Sequence, residues 1–341
     1  MNKNVLIVGI GGRTGAMFAE ELKEAGNIFG VGLDREIDLI EEKKIVILRN
    51  GESKIYVVNA VRSWEFKNLA AEIAPDFIFI TAKNPVGEAV KYYYRNFKNI
   101  QKYPVLVLSQ NGLSAANDAR EALKEVLGPE AEKVKIIRLS LFNPIGANLS
   151  GDGIFSINYS VPVQLCYGVH SGGEDASDLR EILLKTKIES EEVAPKDTRN
   201  MEYTKLFMNL IGMASAVRGK SVKEGFNDQE TFVQEINVLR EYAKVVKRAG
   251  GKFLNFTNYP YPLGLMAWAV VSLPLPVWSL FKSQVAGLVG SKRNDKPKDI
   301  GEIDYYNGEV VKLAKSLGES VPVNEKVLQQ GRAVLRKDQA D

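Results

Sequence analysis

An α/β chain of two domains is what this sequence predicts, with a parallel sheet and helices on both its faces in the first half and helices alone in the second. Three observations predict it. Short β-rich runs alternate with amphipathic stretches up to about residue 195, a glycine cluster closes the first of those runs, and from about residue 196 the apolar periods lengthen to those of long helices. At 341 residues the chain exceeds what one compact core usually supports, which sets residues 1–195 as one domain and 196–341 as the other.

Taken in order, VLIVG from Val5 is the first strand, a helix runs through Ala16 to Ala25, and IFGVGL ending at Leu33 is the second strand, a βαβ unit. FIFIT from Phe77, a helix through Val90 to Phe97, VLVLS from Val105, a helix through Ala115 to Leu127 and VKIIRLS from Val134 repeat the pattern. Such repetition implies parallel strands covered on both faces. Gly151, Asp152 and Gly153 mark a loop, and VPVQLCYGV from Val161 returns as a strand near the end of the domain. Helical periods then cover Met201 to Val217, Glu230 to Ala249 and Ile303 to Leu317, and SKRNDKPKD from Ser291 is an exposed loop.

The stretch from Phe253 to Phe281 carries no charge before Lys282 and is long enough to cross a bilayer. Pro260, Pro262, Pro274 and Pro276 interrupt it, and a spanning helix would have to re-satisfy the carbonyls they free. It is read as a buried or dimer-covered helical layer, so a homodimer through the helical domain is expected and membrane insertion is not.

Charge and rare residues narrow the chemistry. Lys and Arg number 45 against 42 Asp and Glu, and a net +3 gives no reason to expect a nucleic-acid partner. Cys166 is the one cysteine, which rules out an intramolecular disulfide and a thiolate cluster from this chain, and fits a reducing, cytoplasmic setting. His170 is the one histidine, so a His-based metal site is not expected and the acid or base is a Lys, Glu or Asp. The apolar run at the amino end stops in glycines rather than a small-residue cleavage site, and reads as a strand rather than a signal peptide.

Directly after that first strand comes GIGGRTG, with Gly9, Gly11, Gly12 and Gly15 opening the first helix. Small residues there allow the tight turn, let backbone approach a pyrophosphate, and leave helix amides pointing at it. The spacing departs from G-x-G-x-x-G, because the third glycine falls at Gly15 and not at Thr14. Asp34, at the tip of the second strand, suits ribose hydroxyls and NAD, whereas the adjacent Arg35 suits the 2′-phosphate of NADP. Both cofactors stay open at this point.

In YTKLFMNLIGM, Lys205 and Asn209 stand four apart and share a helix face, where an amine and an amide can address one substrate oxygen. In isolation that pair reads as an ordinary helix surface. Its company changes the reading: TAKNP puts Lys83 after one strand, SQNGL puts Asn111 after the next, and GEIDYYNG puts Glu302 at the start of a late helix.

Together these residues resemble the ketopantoate reductase (2-dehydropantoate 2-reductase) family over most of the chain: the glycine loop, Lys83, Asn111-Gly112, the KLxxN helix at Lys205, Ser283, the E-I-D-Y-x-N-G segment from Glu302 and Pro322-x-Asn324. The resemblance implies a Rossmann-like amino-terminal domain and an all-α carboxy-terminal domain of the 6-phosphogluconate dehydrogenase type. It implies NAD(P)H-dependent reduction of a 2-oxo acid to a 2-hydroxy acid, 2-dehydropantoate to pantoate first among them, with NADP as cofactor. By the same likeness Lys205 is the general acid, Glu302 orients substrate or Lys205, Asn209, Asn111 and Ser283 hold substrate, and Lys83 and Asn111 stand near the cofactor. Met213 takes the place of a second asparagine that family members carry four residues after the first, and the interval from Ser283 to Glu302 is longer than usual. Two rivals remain at this stage: a β-hydroxyacid or glycerol-phosphate type dehydrogenase, and a dinucleotide-binding sensor without turnover.

Overall fold

A computed structural model describes residues 2–97, 102–259, 261–290 and 296–338. The chain forms two compact units: Met1–Gln110, Ala115–Thr198 and Thr257–Tyr259 make the first, and Asn111–Ser114, Arg199–Phe256 and Pro260–Asp341 the second.

The first unit runs β1 (Lys3–Val8), α1 (Arg13–Leu22), β2 (Gly26–Gly32), α2 (Asp34–Glu41), β3 (Ile45–Arg49), β4 (Glu52–Ile55), β5 (Ala60–Arg62), α3 (Phe66–Ile73), β6 (Phe77–Ile80), α4 (Gly87–Tyr94), β7 (Val105–Leu108), α5 (Ala115–Leu127), β8 (Ile136–Leu141), β9 (Gly146–Leu149), β10 (Phe155–Tyr159), β11 (Gln164–Ser171), α6 (Ser177–Leu183) and β12 (Glu189–Glu192). Its main sheet has the order β12-β11-β8-β7-β6-β1-β2-β5. Strands β8 through β5 are all parallel, as a βαβ pattern requires. Alternate side chains serve opposite faces: Phe77 and Phe79 of β6 join one buried cluster with Val5 and Ile7, and Ile78 and Ile80 join another with Leu6 and Val8. Both faces are therefore dry, which explains continuous apolar runs such as FIFI and VLVL.

Two features depart from the expected sheet. Strand β11 lies antiparallel to β8, and β12 follows β11. A second, four-stranded sheet of order β4-β3-β10-β9 also forms, from strands in two separate segments that the sequence analysis did not assign. Its hairpin turns on Asn50-Gly51, both at positive φ, the pairing that a tight two-residue connection favours. The expected loop at Gly151–Gly153 links β9 to β10.

The second unit is helical: α7 (Thr198–Leu210, its first residue in the first unit), α8 (Met213–Ala216), α9 (Val222–Asn227), α10 (Gln229–Arg248), α11 (Leu263–Ser272), α12 (Leu275–Gly290), a 3-10 turn at Ile303–Tyr305, α13 (Asn307–Ser316) and α14 (Pro322–Asp338). The single helix expected over Met201 to Val217 is broken. Buried Glu235 accepts from the amides of Gly212 and Ser215 at 3.1 and 2.7 Å and from the Ser215 hydroxyl at 2.7 Å, capping α8 as a separate turn. Met213 consequently belongs to α8 and is fully buried in the helical core, not on the Lys205 helix as read from the sequence. Glu302 precedes a 3-10 turn instead of opening an α-helix, which starts at Asn307.

The charge-free stretch folds as α11 and α12, parted at Leu273-Pro274, with Arg240 donating to the carbonyls of Val270 and Leu273. Leu263, Ala267, Val270 and Trp278 are buried, while Leu265, Trp268, Val271 and Leu280 are exposed. No helix among the described residues is long and apolar enough to cross a membrane. The exposed loop read from Ser291 lies outside the described residues as far as residue 295.

Candidate active site

In the first unit, the turn between β1 and α1 is built from Gly9 to Gly12. The Gly12 amide donates to the Gly9 carbonyl at 3.1 Å, and helix α1 follows with no side chain capping it and no acid in its first turn. The opening amides of α1 are thus left to a ligand or water, the arrangement that suits a phosphate group. Gly15 is the close-packed glycine of the motif, since a Cβ there would fall 2.1 Å from the Gly9 carbonyl oxygen. The irregular spacing therefore keeps the physical requirement, moved by one residue. These residues fit the pyrophosphate of a dinucleotide.

Asp34 starts α2, two residues beyond β2, and its side chain is exposed. Its Oδ1 accepts from the Trp64 indole at 3.1 Å and lies 3.9 Å from the Arg62 guanidinium, which pairs mainly with Asp38 at 2.7 Å and Glu41 at 3.1 Å. Arg35 is exposed in the first turn of α2, and Lys83 is exposed on the loop after β6. Glu36 went unnoticed in the sequence. Its carboxylate accepts from the Leu33 amide at 3.0 Å, and its Cβ stands 2.6 Å from where a Cβ on Gly11 would be. Burial pushes the Glu36 carboxyl above its ordinary range, with the Leu33 amide pulling the other way.

In the second unit four side chains form one chain of hydrogen bonds. Asn209 Nδ2 donates to Asn111 Oδ1 at 3.0 Å, and Asn111 Nδ2 donates to Glu302 Oε2 at 2.9 Å and to the Tyr306 hydroxyl at 3.1 Å. The Tyr306 hydroxyl in turn donates to Glu302 Oε2 at 2.7 Å. Asn111 reaches Glu302 because residues 111–114 pack in this unit, and Gly112, at φ +92°, lies against the 3-10 turn, where a Cβ would meet the Tyr305 carbonyl at 2.9 Å. Lys205 is half-buried on α7, one turn before Asn209. Lys298 donates to the Asn209 carbonyl and sits 5.0 Å from the Tyr306 ring centre.

Of the residues predicted for this site, Asn111, Asn209 and Glu302 meet, and Lys205 shares the helix of Asn209. Ser283 does not join them by any described contact: it lies exposed within α12, because that helix runs on to Gly290. Tyr306 and Lys298 were missed, although Tyr306 stands four residues after Glu302 and that interval was a usable signal. Asn307 and Asn324, from the E-I-D-Y-x-N-G and Pro322-x-Asn324 motifs, are fully buried; Asn307 donates to Asn324 at 3.0 Å, and Asn324 donates to the Val238 carbonyl and to Glu241. They pin α13 to α14 and α10.

With the sheet order, the helical unit and these positions in place, comparison with solved structures is decisive for the architecture. The chain has the fold of the ketopantoate reductases. A ketopantoate reductase from Ralstonia eutropha JMP134 matches over 98% of this chain and 99% of its own at a TM-score of 0.68 and 17% identity. A 2-dehydropantoate 2-reductase from Methylococcus capsulatus matches over 98% and 97% at 0.66 and 16%. D-mandelate dehydrogenase, solved with NADH and anilino(oxo)acetate, matches over 96% and 97% at 0.68 and 15%. No family model matches the sequence, and no curated protein does.

Proposed function

We propose that the protein is a nicotinamide-dependent reductase of 2-oxo acids, with 2-dehydropantoate as the first substrate to try. The observation that carries this reading is the Asn209–Asn111–Glu302–Tyr306 chain with Lys205 one turn away on α7. The glycine turn and Asp34 hold the dinucleotide, which when bound supplies a hydride to the ketone carbon of the substrate. As negative charge grows on the ketone oxygen, the Lys205 ammonium stabilises it and delivers the proton that completes the hydroxyl. Asn111 has both its amide hydrogens and its carbonyl engaged by side chains, so its part is to orient the others. That leaves Asn209 Oδ1 and Glu302 Oε1, which take no hydrogen bond among the described residues, to accept from substrate hydroxyl groups or from Lys205.

Asp34 at the tip of β2 puts NADH ahead of NADPH, since its free Oδ2 suits two ribose hydroxyls and would repel a 2′-phosphate. Arg35 is the residue that would reverse this preference. The likeness to D-mandelate dehydrogenase adds aryl 2-oxo acids to the substrates worth trying. Turnover of 2-dehydropantoate, phenylglyoxylate and shorter 2-oxo acids, each with NADH and NADPH, tests the reading. A protein that binds the dinucleotide yet reduces none of them sinks it.

A further inference from the structure

We propose that Trp64 is the platform on which the adenine ring of the dinucleotide stacks. This rests on the dinucleotide reading above and extends it to a residue of the first unit to which that reading gives no role. The topology places it correctly. Strands β2 and β5 are parallel neighbours with Gly32 opposite Arg62, so Leu33-Asp34 and Ser63-Trp64 leave the sheet at the same edge, beyond the carboxyl ends of the strands.

The backbone that carries Trp64 is fixed. The Ser63 amide and hydroxyl both donate to the Gly32 carbonyl, at 2.8 and 2.9 Å, and the Tyr92 and Tyr93 hydroxyls donate to Ser63 at 2.8 and 3.1 Å. The indole is fixed too, through its N–H on Asp34 Oδ1 at 3.1 Å. Yet the Trp64 residue remains 58% exposed, and Leu33, the residue before Asp34, is 69% exposed. A large aromatic that is held in place, left open to water and tied to the carboxylate that would receive a ribose fits a flat, weakly polar ring attached to that ribose. An adenosine has that chemistry. Asp34 keeps Oδ2 for the sugar while Oδ1 orients the indole, so one side chain serves both halves of the nucleoside.

The test measures dissociation constants on the full chain by calorimetry, with NADH, ADP-ribose and reduced nicotinamide mononucleotide as probes. Replacing Trp64→Leu is expected to weaken NADH and ADP-ribose about tenfold, the scale of one aromatic–base stack, and to leave the mononucleotide unchanged. Trp64→Phe, which keeps a ring but not the N–H, is expected to hold both within about threefold of the original. A Trp64→Leu protein that binds ADP-ribose as the unaltered chain does overturns the inference, and so does equal weakening of all three probes. An unaltered chain that binds neither NADH nor NADPH overturns instead the dinucleotide reading beneath it.

Discussion

Three side chains test the proposed chemistry, and at each a substitution can take away one polar group. Lys205→Ala takes away the proposed proton donor, and turnover of the best 2-oxo acid is expected to fall by at least about a hundredfold while NADH still binds; near-normal turnover would remove Lys205 from the mechanism. Tyr306→Phe keeps the ring beside Lys298 and deletes the hydroxyl that donates to Glu302 and accepts from Asn111. The expected result is a loss of about fivefold to tenfold in kcat/KM with unfolding temperature nearly unchanged, in keeping with the loss of a hydroxyl that bonds a charged group. Glu36 is the residue through which dinucleotide binding is expected to depend on pH. Its carboxyl is raised by burial, so it stays protonated above the ordinary carboxylate range and becomes an anion beside the glycine turn as pH rises through that raised value. The sign is the same for folding: an acid with a raised folded pKa favours the native state below its unfolded pKa, and that contribution is lost as pH climbs. NADH affinity should therefore weaken with rising pH over the mildly acidic range, and Glu36→Gln should flatten the titration. An unchanged slope in the variant would show that another group sets it.

At the scale of elements, the approach of residues 111–114 to the 3-10 turn is what assembles the polar chain. A methyl group on Gly112 would sit 2.9 Å from the Tyr305 carbonyl on a residue already at φ +92°. Gly112→Ala is expected to cost about 1–3 kcal/mol in urea denaturation and to lower kcat well beyond that of a control such as Gly250→Ala, where no atom lies within 4 Å and the φ is likewise positive. Equal effects would mean that the strap does not position Asn111. Much of this layer was legible in the sequence. Alternating runs such as FIFIT gave the parallel strands, and Lys205, Asn209, Asn111 and Glu302 could be picked out by type and spacing. The antiparallel β11, the second sheet and the break at Gly212 were not legible, because each depends on a distant partner: β8 for β11, β10 for β3, and the buried Glu235 for the amides after α7. Asn50-Gly51 was a local signal that could have revealed the hairpin. Ser283 falls inside α12, since that helix continues through residues whose low polarity gives no stop.

For the molecule as a whole, each unit has its own buried core and a different share of the proposed reaction. Saturation with NADH at one hundred times its dissociation constant would stabilise the folded state by about 2.7 kcal/mol. Hydrogen exchange read peptide by peptide should show the slowing concentrated at β1, the glycine turn and the start of α2. Slowing confined to α10 and α14 would contradict the assignment of the cofactor to the sheet. One feature of the helical unit reaches beyond catalysis. Asn111 and Glu302 are partners across 191 positions, and the asparagine is encoded among the strands while the carboxylate is encoded among the helices. Recombination that transplanted only the segment after Thr198 onto another sheet would leave this asparagine behind, so exchange of the helical half between relatives is constrained to recipients that supply an equivalent amide at the end of their own strand.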